Sequence, residues 1–333
     1  MVISRTPFRI SFFGGGTDYP AWFVENGGAV LATTFDKYCY ISCRILPPFF
    51  EHNYRVVYSK VETVKEISEI EHPSVRASLN FLGLKDRLEI HHDGDLPART
   101  GLGSSSAFTV GMLHSLYALK GIMPSRLKLS NDAIHVERYL LNENVGSQDQ
   151  ILAANGGFSK IEFFGEKDFR ISPITVSAER INNLNDHLML FFTGVSRFAT
   201  DIAKEKIKSI PKKKQELSVM MEMVEEGTSI LAGKESIIKF GQLLHDSWMI
   251  KRSLTEKISS PYIDNIYDVA RAGGAIGGKL LGAGGGGFML IFAKPEDQPT
   301  IREKLNKLYC VPFKFENKGS QIIVFQPDLN GSQ

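Results

Sequence analysis

One segment constrains this chain more than any other: Pro97-Ala98-Arg99-Thr100-Gly101-Leu102-Gly103-Ser104-Ser105-Ser106-Ala107. It separates a strand predicted over Leu88 to His92 from a helix predicted over Ala107 to Lys120, whose apolar Val110, Leu113, Leu116, Tyr117 and Leu119 precede the stop signal Gly121. Strand, glycine-serine loop and helix N-terminus in that order make an anion cradle, because unpaired N–H groups and the helix dipole meet there. Gly101 and Gly103 let backbone amides turn toward a polyphosphate, and the serine hydroxyls are oxygen ligands for a hard cation. Simple capping of a helix needs one serine, not three after two glycines.

At 333 residues, with 43% apolar and 23% charged side chains, the chain has length for roughly two domains and a composition neither disordered nor fibrous. Its 39 basic and 37 acidic residues give a net charge of +2, so no broad basic field attracts nucleic acid and a charged ligand has to be met locally. Cys39, Cys43 and Cys310 have neither metal-site spacing nor nearby histidine partners and are read as reduced, buried thiols. Arg5 and Arg9 interrupt the apolar run from Met1 to Phe13, which leaves no signal-peptide core. The run Gly274 to Ala293 holds eight glycines and Lys279, too broken for a membrane span. These features predict a cytoplasmic protein with no membrane partner.

The first half reads as an α+β module with strands over Phe8 to Phe13, Gly28 to Thr34, Cys39 to Ile45 and Arg55 to Tyr58, and a second helix starting after a cap at Ser130. After the strand Phe158 to Phe164, the stretch Phe169 to Asp186 reads as a connector. The expected domains are 1–184 and 185–333, the second rich in helices before it ends in strands around one helix.

Two further glycine patterns fail on context. Gly273 to Lys279 fits most of G-x-x-x-x-G-K-[ST], yet Leu280 offers no hydroxyl to a metal. Gly282, Gly284 and Gly287 match G-x-G-x-x-G, but an apolar strand rather than a helix follows. What remains there is backbone able to take positive φ or to meet another segment closely. Near the N-terminus, Arg9 is followed by Gly14-Gly15-Gly16 and Thr17-Asp18-Tyr19, a cation, a flexible turn and a carboxylate after a strand. For a metal ligand and a base, the acidic residues next along the chain are Glu137, Glu143 and Asp149, and spacing does not choose among them. His91 and His92 point to opposite faces of a strand and are read as structural.

These motifs together resemble the superfamily of galactokinase, homoserine kinase, mevalonate kinase and phosphomevalonate kinase, the GHMP kinases. Thr6-Pro7-Phe8-Arg9 through Gly16-Thr17-Asp18-Tyr19 resembles its first motif, Pro97 to Ala107 its second and Gly282 to Gly287 its third. Gly14-Gly15-Gly16-Thr17-Asp18-Tyr19-Pro20 and Gly146-Ser147-Gln148-Asp149-Gln150 look most like sugar 1-kinases, above all those for D-glycero-D-manno-heptose 7-phosphate, with fucokinase-like enzymes fitting the same pattern. Galactokinases carry a Glu-His pair where Gly15 and Gly16 stand, and small residues there leave room for a longer sugar.

The resemblance implies an N-terminal domain like ribosomal protein S5 domain 2, a C-terminal ferredoxin-like domain, and a site between them. It implies that Pro97, Gly101, Leu102, Gly103, Ser104, Ser105 and Ser106 hold ATP, that Ser105 and Glu137 complete a Mg2+ shell, and that Asp149 is the base with Arg9 beside it. Asp18, Gly15, Gly16, Thr17, Gly284 and Gly285 would then face the sugar phosphate. Thr193-Gly194-Val195-Ser196-Arg197, between a strand and a helix start, is a candidate second anion site in which Ser196 and Arg197 take the sugar's existing phosphate. The implied reaction gives heptose 1,7-bisphosphate from a monomer or homodimer. A sensor without turnover is disfavoured because Asp149, Glu137 and Ser105 are all present.

Overall fold

The computed structural model describes residues 1–165, 168–195 and 199–326. β1 (Val2–Phe13) runs antiparallel to the long β2 (Gly28–Ile45), with α1 (Pro20–Asn26) between them in sequence. The two strands expected within β2 are one, because β1 stays paired by shifting register between Pro7 and Phe8 and so leaves Asp36 and Lys37 as a bulge. β3 (Tyr54–Val57) and β4 (Val61–Val64) form a hairpin, followed by α2 (Pro73–Leu82) and β5 (Leu88–Gly94), which pairs with both β2 and β3. The pattern reading places no helix at α2, although Pro73 in its first turn and the left-handed Gly83 beyond its end carry the start and stop signals.

α3 (Ser104–Leu119) packs on β1 and β2 and is buried on nearly every side, which is why its apolar residues form no single stripe. α4 (Arg126–His135) is capped by Ser125, whose Oγ accepts the Lys128 N–H at 3.1 Å. Ser130, the expected cap, lies inside the helix and donates to the Arg126 carbonyl at 2.9 Å. A π-helical turn, Val136–Leu140, continues α4 and leads to α5 (Gln148–Asn155). β6 (Ser159–Phe164) pairs with β2 and with β7 (Asp168–Pro173), and α6 (Ala178–Asp186) follows. The expected connector is therefore a strand and a helix. Polar Asp168, Arg170 and Ser172 hide the strand pattern, which pairing with β6 supplies.

β8 (Leu188–Phe192) opens a second sheet, and α7 (Ala199–Ser209), α8 (Lys214–Ala232), α9 (Ile238–Ser253) and α10 (Pro261–Ala272) come before its next strands. β9 (Gly277–Leu280), β10 (Phe288–Phe292), α11 (Gln298–Lys304) and β11 (Tyr309–Val311) complete it in the antiparallel order β11-β8-β10-β9. The chain then returns: β12 (Phe315–Glu316) pairs with β2 and β13 (Gln321–Phe325) with β1. The sheet that begins at Val2 is thus closed by the last described strands. The thiols are free, with Cys39 and Cys43 buried and Cys310 half-buried. No helix among the described residues is long and apolar enough to cross a membrane.

α9 meets the second sheet backbone to backbone. A Cβ on Gly277 would stand 1.9 Å from the Gly241 carbonyl oxygen, and one on Gly241 would stand 2.3 Å from the Phe292 ring. Overpacking of this kind costs roughly 1–3 kcal/mol. Gly241→Val is expected to lower the unfolding free energy by that amount and so move the urea midpoint down, and an unchanged midpoint would refute this account of the contact.

Candidate active site

Strand alternation builds the first part of the site. With Phe8, Ile10 and Phe12 in the core, β1 turns Arg9 to the other face, where it is still 5% exposed. Arg9 Nε and Nη2 donate to Asp149 Oδ1 and Oδ2 at 2.6 and 2.7 Å, and Nη1 donates to the Gly101 carbonyl at 2.6 Å. The planar fork matches the carboxylate, so both are held in one orientation. Each Asp149 oxygen keeps a second lone pair for a proton.

α5 places three consecutive side chains on three other parts of the site. Gln148 Nε2 donates to Asp18 Oδ2 at 3.0 Å, Asp149 takes Arg9, and Gln150 Nε2 donates to Glu137 Oε2. Asp18, 2% exposed, also accepts the Gly16 N–H on Oδ1 at 2.9 Å, which fastens the Gly14–Asp18 turn beside the helix start. Thr17 serves that turn from within, its one hydroxyl proton shared between the Gly14 and Ala29 carbonyls at 2.9 and 2.8 Å. Burial, then the charges of Asp18 and Asp149, push the Tyr19 phenol far above its ordinary pKa, so the neighbouring Tyr19 remains neutral.

The glycine-serine loop has left-handed residues at Arg99, Gly101 and Gly103, and the Thr100 hydroxyl closes it on the Pro97 carbonyl at 2.7 Å. Gly101 meets the third glycine segment: its Cβ would lie 2.5 Å from the Leu281 carbonyl oxygen, and one on Gly282 would lie 2.4 Å from the Gly101 Cα. No side chain fits at either position. Leu102 is buried in the core, and its carbonyl accepts the Arg9 N–H at 3.1 Å, so its part is to anchor the loop. Ser104 Oγ accepts the Arg99 N–H at 3.2 Å, Ser105 is exposed, and Ser106 Oγ donates to Glu137 Oε2 at 2.9 Å.

Glu137 sits in the π-helical turn, fully buried, a local geometry common at functional sites. Burial and the charge of Glu143 push its carboxyl up to about 7 against the bonds from Gln150, Ser106 and Thr109. Its Oε1 has no hydrogen-bond partner among the described residues. A desolvated carboxylate oxygen beside a serine hydroxyl suits a divalent cation that also binds phosphate oxygens.

Gly284 and Gly285 pack on Ile258, whose carbonyl accepts the Gly285 N–H at 2.9 Å. Ser196 and Arg197 lie outside the described residues. A cavity of about 1090 Å³ lies apart from these residues, lined in part by Asn155, Phe158, Asn185 and Phe313. Sequence reasoning passed over Lys251, whose Nζ donates to the Leu280 and Gly282 carbonyls at 2.7 Å each, and Lys279, whose Nζ donates to the Phe12 carbonyl at 2.6 Å. Lys279, the lysine of the failed G-x-x-x-x-G-K pattern, ties the second sheet to β1. Both lysines are almost fully buried, and no periodicity marks them.

Because the folded pKa of Glu137 lies above the ordinary 4.5, its contribution to stability is present below that pH and is lost as pH rises to about 7. In chelator without nucleotide, the unfolding free energy of wild type minus that of Glu137→Gln should therefore fall across this window. A flat difference would show that Glu137 titrates normally.

Residues 62–157 match the GHMP kinases N terminal domain, and residues 230–309 match the GHMP kinases C terminal. The chain is 28% identical to the D-glycero-alpha-D-manno-heptose 7-phosphate kinase of Campylobacter jejuni, over 95% of this chain and 97% of that protein. It is 24% identical to the bifunctional fucokinase/GDP-fucose pyrophosphorylase of Arabidopsis thaliana over 90% of its own length, spanning 31% of that longer protein. The crystal structure of a D-glycero-D-manno-heptose 1-phosphate kinase from Bacteroides thetaiotaomicron superposes with a TM-score of 0.79 over 98% of this chain and 100% of that one, at 22% identity. With the glycine-serine loop, Glu137 and Asp149 inside the first match and Gly282 to Gly287 inside the second, the chain belongs to the GHMP kinases and is an ATP-dependent kinase with their two-domain α+β fold.

Proposed function

We propose that the protein transfers the γ-phosphoryl group of ATP to the anomeric hydroxyl of D-glycero-D-manno-heptose 7-phosphate, giving the 1,7-bisphosphate and ADP. The observation that carries this reading is the triple engagement of Arg9, which joins the phosphate loop to Asp149 through one guanidinium. A base held against a phosphate cradle by a cation is what phosphoryl transfer to an alcohol requires, since positioning and electrostatics supply most of its catalysis. The choice of sugar is supported by two relatives whose names specify a D-glycero-D-manno-heptose phosphate, one as 7-phosphate and one as 1-phosphate. Gly15 and Gly16, small where galactokinases carry Glu-His, are consistent with a longer acceptor.

In the proposed reaction the amides of Gly101 to Ser106 hold the ATP phosphates, and the Gly14–Asp18 turn receives the sugar next to Asp149. The anomeric oxygen bonds to the γ-phosphorus as the bond to the β-γ bridging oxygen breaks, and Asp149 accepts the hydroxyl proton. Arg9 offsets charge on the transferring group while keeping Asp149 aimed. Glu137, with Ser106 bonded to it and Ser105 exposed one residue earlier, is suited to hold Mg2+. A bound ion there would neutralise charge on the phosphate oxygens.

A fucose 1-kinase is the second reading, favoured by the similarity to the plant fucokinase. Offering heptose 7-phosphate, the free heptose and L-fucose with ATP and Mg2+, and following ADP release and the anomeric phosphate by phosphorus NMR, separates the two. We expect turnover on the phosphorylated heptose to exceed that on the others, and preference for free L-fucose would overturn the heptose assignment. Asp149→Asn should lower kcat by roughly 10²–10⁴-fold with ATP binding retained. Arg9→Lys, which keeps the charge and loses the fork, should lower kcat about 10²-fold through misplacement of the base. Wild-type rates in either variant would remove that residue from the mechanism.

A further inference from the structure

Two buried polar atoms at the Gly14–Asp18 turn have no part in the reaction described above. Ser11 lies two residues beyond Arg9 on the same face of β1 and is 6% exposed, and its Oγ has no hydrogen-bond partner among the described residues. It borders the Gly14–Asp18 turn, since a Cβ on Gly15 would stand 3.8 Å from it. Gln148, adjacent to Asp149 in α5, is 7% exposed and donates through Nε2 to Asp18 Oδ2 at 3.0 Å. A carboxylate only accepts, so this bond fixes which way the amide points. Gln148 Oε1 is thereby left as the second atom without a partner among the described residues.

Native proteins seldom bury polar atoms unpaired, because the lost hydration is not recovered. Here two such atoms border one turn, from β1 on one side and from the first turn of α5 on the other. One is a fixed acceptor, and the other is a hydroxyl that accepts or donates. Bordering the turn that the proposed reaction assigns to the sugar, they match an acceptor substrate that carries several hydroxyl groups besides the one being phosphorylated.

We propose that Ser11 Oγ and Gln148 Oε1 are specificity determinants, each hydrogen-bonding a non-reacting hydroxyl of a polyhydroxylated sugar held between the Gly14–Asp18 turn and Asp149. This rests on the sugar-kinase reading above and deepens it by assigning contacts that no sequence motif marks. An alcohol lacking those hydroxyls would leave both atoms buried and unpaired, which is how a site rejects a smaller analogue.

The test uses Ser11→Ala and Gln148→Met in the full chain, with heptose 7-phosphate, the free heptose and L-fucose as probes, reading ADP release and thermal melting with and without sugar. Removing an unpaired buried hydroxyl should leave the sugar-free Tm of Ser11→Ala at or above that of wild type. Its KM for the preferred sugar should rise about tenfold with KM for ATP within about twofold, and the melting shift produced by sugar should shrink, as expected for one lost hydrogen bond. Gln148→Met should show the same KM split with a lower Tm, because Asp18 loses its donor. An unchanged sugar KM in Ser11→Ala, with or without a fall in Tm, would make Ser11 purely structural and overturn the proposal. Wild type that turns over none of these sugars would defeat the functional reading itself, whereas turnover with indifferent variants defeats only the present inference.

Discussion

The site depends on a single buried guanidinium. Arg9 reaches a helix through Asp149 and a loop through the Gly101 carbonyl, while its own backbone belongs to the central pair of strands. A buried cation is tolerated only when its donors are satisfied, and each of these contacts is charge-assisted. Losing Asp149 would leave the buried guanidinium without its counter-charge, and losing the Gly101 carbonyl would leave a donor unsatisfied, so the relative placement of β1, the glycine-serine loop and α5 is tightly specified.

Around that centre the first turn of α5 acts as a distributor. Gln148, Asp149 and Gln150 leave the helix in different directions and meet Asp18, Arg9 and Glu137. The second sheet joins through backbone: Gly101 and Gly282 touch with no room for side chains, and Lys251 and Lys279 draw carbonyls of the third glycine segment and of β1 toward α9 and β9. Glycine loops approach where side chains would keep them apart, and buried ammonium groups satisfy the carbonyls that such close approach would otherwise strand.

Part of the candidate site was legible beforehand because it is local. The strand, glycine-serine loop and helix of 88–120 announce an anion cradle through composition and order alone, whereas Arg9 was legible only as a cation near the glycine turn, its place beside Asp149 being implied by the family resemblance. By spacing Glu137 was legible only as one of three acids, and the family resemblance alone pointed to it. Its full burial, its π-helical turn and its bond from Ser106 single it out, and none of these is a property of neighbouring residues in sequence. The cap of α4 was misplaced by five residues because Ser125 and Ser130 are equally good capping residues, and the choice between them is made by where the chain turns into the helix.

By itself, then, the amino-acid order determined the short-range features: the alternation of β1, the cradle before α3, the glycine run that admits close approach, and a charge balance that confines electrostatics to a pocket. Tertiary structure decided which distant groups share that pocket. Arg9 and Asp149 are separated by 140 positions, Lys279 and Phe12 by 267, and β13 returns from the far end of the chain to pair with β1. Periodicity and capping act over a few residues, whereas pairing a buried charge or closing a sheet edge is settled by the whole packed chain. For that reason the partners of Asp18, Glu137 and Gln148 emerge only once the chain is packed.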